Sequence, residues 1–496
     1  MRRLLLLFFL AISVLGFSED DAGRVISEAQ KPSPLETNLH RLTDEVGGRI
    51  PGTSAMQKAV DWGVEAFKGA GADRVRTENF TLPVSWAEGN TEVLVIGEDR
   101  SKKGSSVPVT QFRLRAVSIA WAPALSAHRH VRVIDVGEGS AEDFMRIGDI
   151  ADGLLLVHSE EMKKWDDLFA EYLKAPSLID RAVKGKALAI AFQSTRPHDL
   201  LYRHTNSSEG ELDGIPMVLV AREDAGRMAR LLAAGTSLYA DISIPNHVGG
   251  PITAANVVAE LRGNQRPEEF VLLGAHLDSW DLGTGALDNG CNAALVIDVL
   301  RAIKASGVSP QRTIRFVLFS GEEEGMVGSH AYTVTHNAEL DKIVGVVILD
   351  SGVGRVTGFS LGGRRDLEEA ATRLVAPLKQ FDATTLTTDA DWGTDNFDFL
   401  LQGVPTFVAN QDEYNYLLNY HAMSDTFDKV DMAELKKHVA EAAALTIGIA
   451  NALERPGPRL NHAQIELTLR ETHLEEQLKT FGMWDGWESG KRGRKD

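Results

Sequence analysis

Residues 270–290 constrain this chain more than any other stretch. The run Phe270-Val271-Leu272-Leu273-Gly274-Ala275 is apolar throughout and ends on His276-Leu277-Asp278. The chain then breaks into Asp281-Leu282-Gly283-Thr284-Gly285-Ala286-Leu287-Asp288-Asn289-Gly290. A short apolar run bounded by glycine reads as a buried strand of a mostly parallel sheet, and such sheets gather function at the carboxyl ends of their strands. His276, Asp278 and Asp288 fall at that end. An imidazole and a loop carboxylate twelve positions apart can converge on one ion, with Asp278 placed to orient His276.

The flanking pattern supports the sheet. After Pro251, strand-like runs at 256–261, 313–319, 343–349 and 406–409 alternate with helical runs at 293–305, 326–336, 366–378, 395–401 and 432–451. That alternation predicts an α/β fold with a doubly wound, mostly parallel sheet. Upstream, residues 34–46 have helical spacing and stop at Gly47-Gly48. Gly48-Arg49-Ile50-Pro51-Gly52-Thr53 is turn chemistry, and Thr53 or Ser54 can cap a helix running to about Gly69. Strand-like runs at 75–84 and 92–96 read as opening elements of the same α/β unit.

Between about 117 and 247 the rhythm changes to short strands at 130–136, 154–157, 187–192 and 214–220, with helical pieces at 162–172 and 223–234. No internal repeat or low-complexity tract is present. At 496 residues the chain is long enough for two or three domains at about 150 residues each. The reading is a leader over 1–18, one domain over 28–116 and 251–455, an inserted domain over 117–250, and a C-terminal extension over 456–496 with no readable function.

Met1-Arg2-Arg3 precedes an apolar run over 4–17, and Gly16 and Ser18 stand before Glu19-Asp20-Asp21. This is the pattern of a secretory signal peptide with cleavage near Ser18, too short for a membrane span, so a secreted or periplasmic protein is expected with no membrane association once the leader is removed. The single cysteine, Cys291, rules out an intrachain disulfide, which leaves the core or a bound metal as the source of stability. A net charge of −18 argues against nucleic acid as a partner, because phosphate binding needs basic patches.

Three further strand ends carry candidate chemistry. Run 313–319 leads into Ser320-Gly321-Glu322-Glu323-Glu324-Gly325, run 343–349 ends in Asp350, and Tyr420-His421-Ala422-Met423-Ser424-Asp425-Thr426 precedes the last helix. With His276 and Asp288 they put two imidazoles and several carboxylates on one end of one sheet. That set suffices for two divalent cations if Asp288 bridges them, and mixed imidazole and carboxylate ligation favours Zn²⁺. Two such ions share a water, depress its pKa and clamp the oxygens of an acyl-transfer transition state.

The order His276-x-Asp278, Asp288, Glu322-Glu323, Asp350 and His421 with Asp425-Thr426 resembles the M28 family of co-catalytic zinc peptidases. Gly48-Arg49-Ile50-Pro51-Gly52-Thr53 and Gly393-Thr394-Asp395 match it as well, and the resemblance covers roughly residues 34–453. It implies the zinc aminopeptidase-like fold and two Zn²⁺, one held by His276, Asp288 and Asp350 and the other by Asp288, Glu323 and His421. It leaves Glu322 as the general acid/base and Asp278 as its catalytic companion behind His276. It also implies a cis peptide bond after Asp288, a homodimer and short peptide substrates. The 117–250 segment resembles a protease-associated (PA) domain, expected to lie over the strand ends and narrow access to the metals. The chain departs from the pattern in Glu324, a third carboxylate after the pair, and in Thr394-Asp395-Asn396, where many members have Ser-Asp-His.

Other functions fit less well. A non-catalytic binding protein on this scaffold would be expected to have lost ligands, and none is missing. A glutaminyl cyclase-like transferase typically uses one zinc and has no inserted PA domain, and an M20-type deacylase has its extra domain after the Glu-Glu pair. Among exopeptidases, no arginine cluster near the metal motifs is suited to a glutamate side chain apart from Arg364-Arg365, which favours an aminopeptidase or dipeptidase.

Overall fold

The computed structural model describes residues 19–99, 108–207, 209–390 and 392–496. The signal-peptide reading falls on residues 1–18, outside the described residues. Among the described residues no helix is long and apolar enough to cross a membrane.

Eight strands form the main sheet in the order Arg74–Leu82, Ile252–Leu261, Arg312–Phe319, Arg266–His276, Ile343–Ile348, Thr406–Gln411, Val356–Ser360, Thr385–Thr387. The four central strands, from Arg312–Phe319 to Thr406–Gln411, pair in parallel, whereas Arg74–Leu82 and Ile252–Leu261 join antiparallel on one side. Period-two geometry explains why Arg266–His276 is apolar throughout. Val271, Leu273 and Ala275 pack into a core with the helices Cys291–Ser306 and Met432–Asn451, while Phe270 and Leu272 pack on the other face with Tyr332 and Phe399. A helix at Glu19–Ala29 adds Val25 and Ile26 to the first core. Thr53 caps the helix Ser54–Gly69 by accepting from the Met56 N–H at 3.2 Å.

A second eight-stranded sheet is built from Thr110–Arg113, Glu92–Asp99, Thr236–Ile244, Leu125–Asp135, Leu154–Val157, Ala189–Gln193, Met217–Val220 and Ala116–Ser118. This corrects one expectation. Glu92–Asp99, read as an opening element of the main α/β unit, pairs antiparallel with Thr236–Ile244 along its whole length. The second body therefore begins before residue 117. The two chain crossings, Ser85–Ala87 and His247–Gly249, pair with each other as a two-stranded neck.

The 456–496 tail folds as three helices, His462–Glu471, Leu474–Thr480 and Trp484–Ser489. Leu469, Leu474, Leu478, Trp484 and Trp487 bury against Phe397, Leu400 and Leu401 of the helix Asn396–Leu401. Arg492 fastens the tail through paired bonds of 2.8 and 2.9 Å to the buried Asp398 and a 3.0 Å bond to the Gly325 carbonyl. Such a forked, charge-assisted pairing fixes orientation as well as contact.

Candidate metal centre

The parallel register sets the strand ends side by side. His276 stands opposite Phe319, and Gly274 opposite Ile348, so the residues that follow each strand emerge at one edge. Those residues are His276, Glu322, Glu323 and Asp350. Asp288 lies in the loop ahead of the helix Cys291–Ser306, and His421 follows the short helix Tyr416–Asn419.

These side chains meet. His276 Nε2 lies 3.0 Å from Asp350 Oδ1 and 3.2 Å from Asp288 Oδ1. His421 Nε2 lies 3.4 Å from Asp288 Oδ2 and 3.0 Å from Glu323 Oε2. Asp288 thus presents one oxygen to each imidazole. Donor atoms of His276, Asp288 and Glu323 fall within 4.8 Å of one another. Asp278 lies on the Nδ1 side of His276. The His276 Nδ1 contact at hydrogen-bond distance is to the Asp278 backbone carbonyl at 3.1 Å, with its carboxylate at 3.7 Å. The Asp278 carboxylate instead accepts the Glu323 N–H at 3.2 Å, which ties the acidic turn to the histidine strand.

Two residues hold the loop that carries Asp288. Asp425 accepts the N–H groups of Ala286 at 3.1 Å and Leu287 at 2.7 Å on one oxygen, and that of Asp288 at 3.1 Å on the other. The fully buried Arg49 donates to the carbonyls of Leu277 (2.7 Å), Gly47 (2.9 Å), Thr284 (2.7 Å) and Gly285 (2.8 Å). Gly285 has φ +59°, and a Cβ there would meet Ser279 at 2.3 Å, so only glycine serves at this turn. The Asp288–Asn289 peptide bond is cis, as expected. His421, at φ 59°, is gripped by the second body. Its carbonyl accepts the Arg203 N–H at 3.0 Å, Ala422 forms an antiparallel bridge with Tyr202, and the Tyr420 ring stacks on it at 3.6 Å.

Burial and like charge make the group electrostatically unusual. Burial drives the His421 pKa down to about 3, leaving a neutral imidazole with a free lone pair. For His276 burial works against the cation, yet the facing carboxylates of Asp350, Asp278 and Asp288 raise its pKa well above the ordinary value. Burial pushes the carboxyls of Glu322 and Glu323 far up, and neighbouring carboxylates, Asp350 for the first and Asp288 for the second, push them further. Asp278 Oδ1, Asp288 Oδ2 and Glu323 Oε1 are buried without a hydrogen-bond partner. Carboxylates ionised while buried in this number would cost on the order of several kcal/mol each unless cations compensated them. His421, a neutral imidazole, and His276, whose proton a bound cation would replace, stand among unpaired carboxylate oxygens, a set that fits divalent cations.

Beside these residues lies a cavity of about 570 Å³. Asp288, Glu322, Glu323, Asp350 and His421 line it, and so do Trp165, Phe169 and Tyr172 of the second body and Phe481 and Met483 of the tail. The second body therefore reaches over the strand ends, as expected. No lysine or arginine lines the cavity among the described residues. Arg364 is turned elsewhere, paired with Asp366 at 2.6 Å and donating to the Pro458 carbonyl at 3.0 Å. Sequence reasoning missed the tail's contribution and the anchoring role of Arg49, although a lone basic residue inside a glycine-rich turn was the available signal for the latter.

Residues 256–446 match the family model described as Peptidase family M28. Carboxypeptidase Q of Mus musculus is 26% identical over 422 residues, covering 83% of this chain and 85% of that protein. Carboxypeptidase Q of Bos taurus is 27% identical over 423 residues, covering 85% and 86%. The crystal structure of a Peptidase M28 precursor from Shewanella amazonensis superposes with a TM-score of 0.78 at 25% identity, over 89% of this chain and 98% of that one.

Proposed function

We propose that this chain, a metallo-exopeptidase of the M28 kind, is a co-catalytic di-zinc enzyme that hydrolyses dipeptides or removes the N-terminal residue of short peptides. The observation that carries the reading is Asp288, whose two oxygens face His276 at 3.2 Å and His421 at 3.4 Å beside the buried carboxylates of Asp350 and Glu323. His276, Asp288 and Asp350 would hold one ion, and Asp288, Glu323 and His421 the other. Zinc suits this donor set. Bound there, two zinc ions would lower the pKa of a shared water and polarise the scissile carbonyl.

The chain's own groups account for the proton movements. The Glu322 carboxylate receives the proton of the attacking water and returns it to the leaving amine nitrogen. Its pKa, raised by burial and by Asp350, suits a group that must both take and release a proton. The Asp278 backbone carbonyl holds the His276 ring through Nδ1, which leaves Nε2 for ligation. The second sheet is read as a PA-like inserted lid whose Tyr202 and Arg203 steady the His421 loop. The leader read in residues 1–18 goes with an exported enzyme.

Cavity charge favours the amino end of the substrate. Asp389, Asp412 and Glu413 line it and, among the described residues, no lysine or arginine does, which complements an α-ammonium rather than a carboxylate. The deciding experiment is a rate profile of free against N-acetylated dipeptides with the zinc-loaded protein. Free dipeptides should be cleaved far faster, and equal rates on the acetylated series would refute the choice of end.

A further inference from the structure

The C-terminal tail does more than cap a helix. Phe481 and Met483 line the cavity beside the metal residues, although they lie more than a hundred positions beyond Asp350 in the chain. Phe481 stacks on Trp392, with ring centroids 4.3 Å apart and planes 16° from parallel. Both rings are only half-buried and border the cavity, so the apolar area they keep open faces whatever fills it. The wall is also rigidly placed. Arg492 ties the tail to Gly325, one residue past Glu324 in the acidic turn, and the helix Leu474–Thr480 touches the helix Trp165–Lys184 of the inserted body. The tail and the lid thus close on each other across the metal residues.

We propose that Phe481, stacked on Trp392 and backed by Met483, forms a side-chain subsite that receives an aromatic or long aliphatic side chain of the peptide. This rests on the exopeptidase reading above and specifies its substrate class. The cavity floor offers carboxylates to the peptide's ammonium, while this wall offers apolar surface and, among the described residues, no lysine or arginine, so an acidic side chain is disfavoured. Burying an aromatic side chain against preformed rings adds a contact that alanine cannot make.

The test compares full-length, zinc-loaded wild type with Phe481→Ala and Trp392→Ala on Phe-Ala, Ala-Phe, Glu-Ala and Ala-Ala, reading kcat/KM. In parallel, calorimetry gives Kd for the same peptides with Glu322→Gln alone and with Glu322→Gln combined with Phe481→Ala. Preference for a Phe-bearing dipeptide over Ala-Ala should fall on the order of 10-fold in kcat/KM for both variants, and in Kd when Phe481→Ala is added to Glu322→Gln, the size expected for an apolar contact in a pocket. Unchanged ratios, or equal losses for Phe and Ala peptides, would overturn the subsite, the second because general loosening has that signature. Selective binding through Phe481 without turnover by wild type would sink the exopeptidase reading and leave the subsite standing. Turnover indifferent to Phe481 would do the reverse.

Discussion

Replacing Asp425 by asparagine should loosen the metals without touching a proposed ligand. Asp425 accepts three backbone N–H groups, two on one oxygen and that of Asp288 on the other. Asparagine keeps one acceptor oxygen, which can retain the Ala286 and Leu287 bonds, but its amide nitrogen then faces the Asp288 N–H, donor against donor. The result is one buried N–H with no acceptor, worth about 1–3 kcal/mol. At about 1.4 kcal/mol per tenfold that corresponds to roughly 10- to 100-fold weaker zinc binding, the range found when a residue supporting a ligand is lost. The substitution also removes a buried charge whose pKa burial pushes up to about 7, so part of the cost is offset in the metal-free protein. The signature is therefore weaker zinc affinity, with a larger drop in Tm for the zinc-loaded than for the metal-free form. Zinc would be titrated in competition with a chromogenic chelator, using Asp428→Asn as the control because Asp428 is exposed and bonds to Thr426. Wild-type zinc affinity in Asp425→Asn would refute the argument that these N–H bonds position Asp288.

Glu322→Gln should keep its zinc and lose about 10²- to 10⁴-fold in turnover, since an amide cannot accept the proton of water; lost metal or normal rates in that variant would mean the base is elsewhere. Asp288→Ala should release both ions together, and metal analysis finding one fully retained would remove the bridging claim. Far from the metals, burial and Glu434 raise the Glu441 pKa to about 8, against about 4.3 in an unfolded chain. The folded state then binds more protons across that interval, so stability falls as pH rises from about 4.5 to 8. Glu441→Gln should flatten this slope and raise Tm at pH above 8, and a Tm–pH curve parallel to wild type would show that the carboxyl is ionised at little cost.

What the sequence made legible was what chain-local patterns encode. The apolar run before His276 specified a central strand, and the strand-to-turn breaks at Glu322 and Asp350 marked the functional edge, because parallel strands must all present the same end there. What stayed hidden depends on which distant segments pair. The alternation in Glu92–Asp99 specifies a strand but not a sheet, and its partner Thr236–Ile244 lies across the whole inserted body. The strands Val356–Ser360 and Thr385–Thr387, which finish one side of the sheet, are short, and their pairing follows from tertiary placement. Arg49 reads as turn filler until the Leu277, Thr284 and Gly285 carbonyls are brought around it. Leu469, Leu474 and Leu478 are apolar positions in the tail sequence, but that Phe481 borders the cavity depends on where the tail packs against Trp392 and Asp398.

Gly283 shows why these two classes of information join at one place. Within its own loop it is one more flexible residue, yet a Cβ there would lie 2.7 Å from the carbonyl oxygens of both Ala422 and Asp425. The loop carrying Asp288 and the loop carrying His421 are therefore in backbone contact at this point, with Asp425 bonding across the same contact and Tyr202 bridging Ala422 from behind. Bringing Asp288 to within 3.4 Å of His421 requires that approach. The glycine, the three N–H bonds to Asp425 and the grip of the inserted body act on one distance, so a side chain at 283 would separate the imidazole of His421 from the carboxylate of Asp288 before it disturbed either strand.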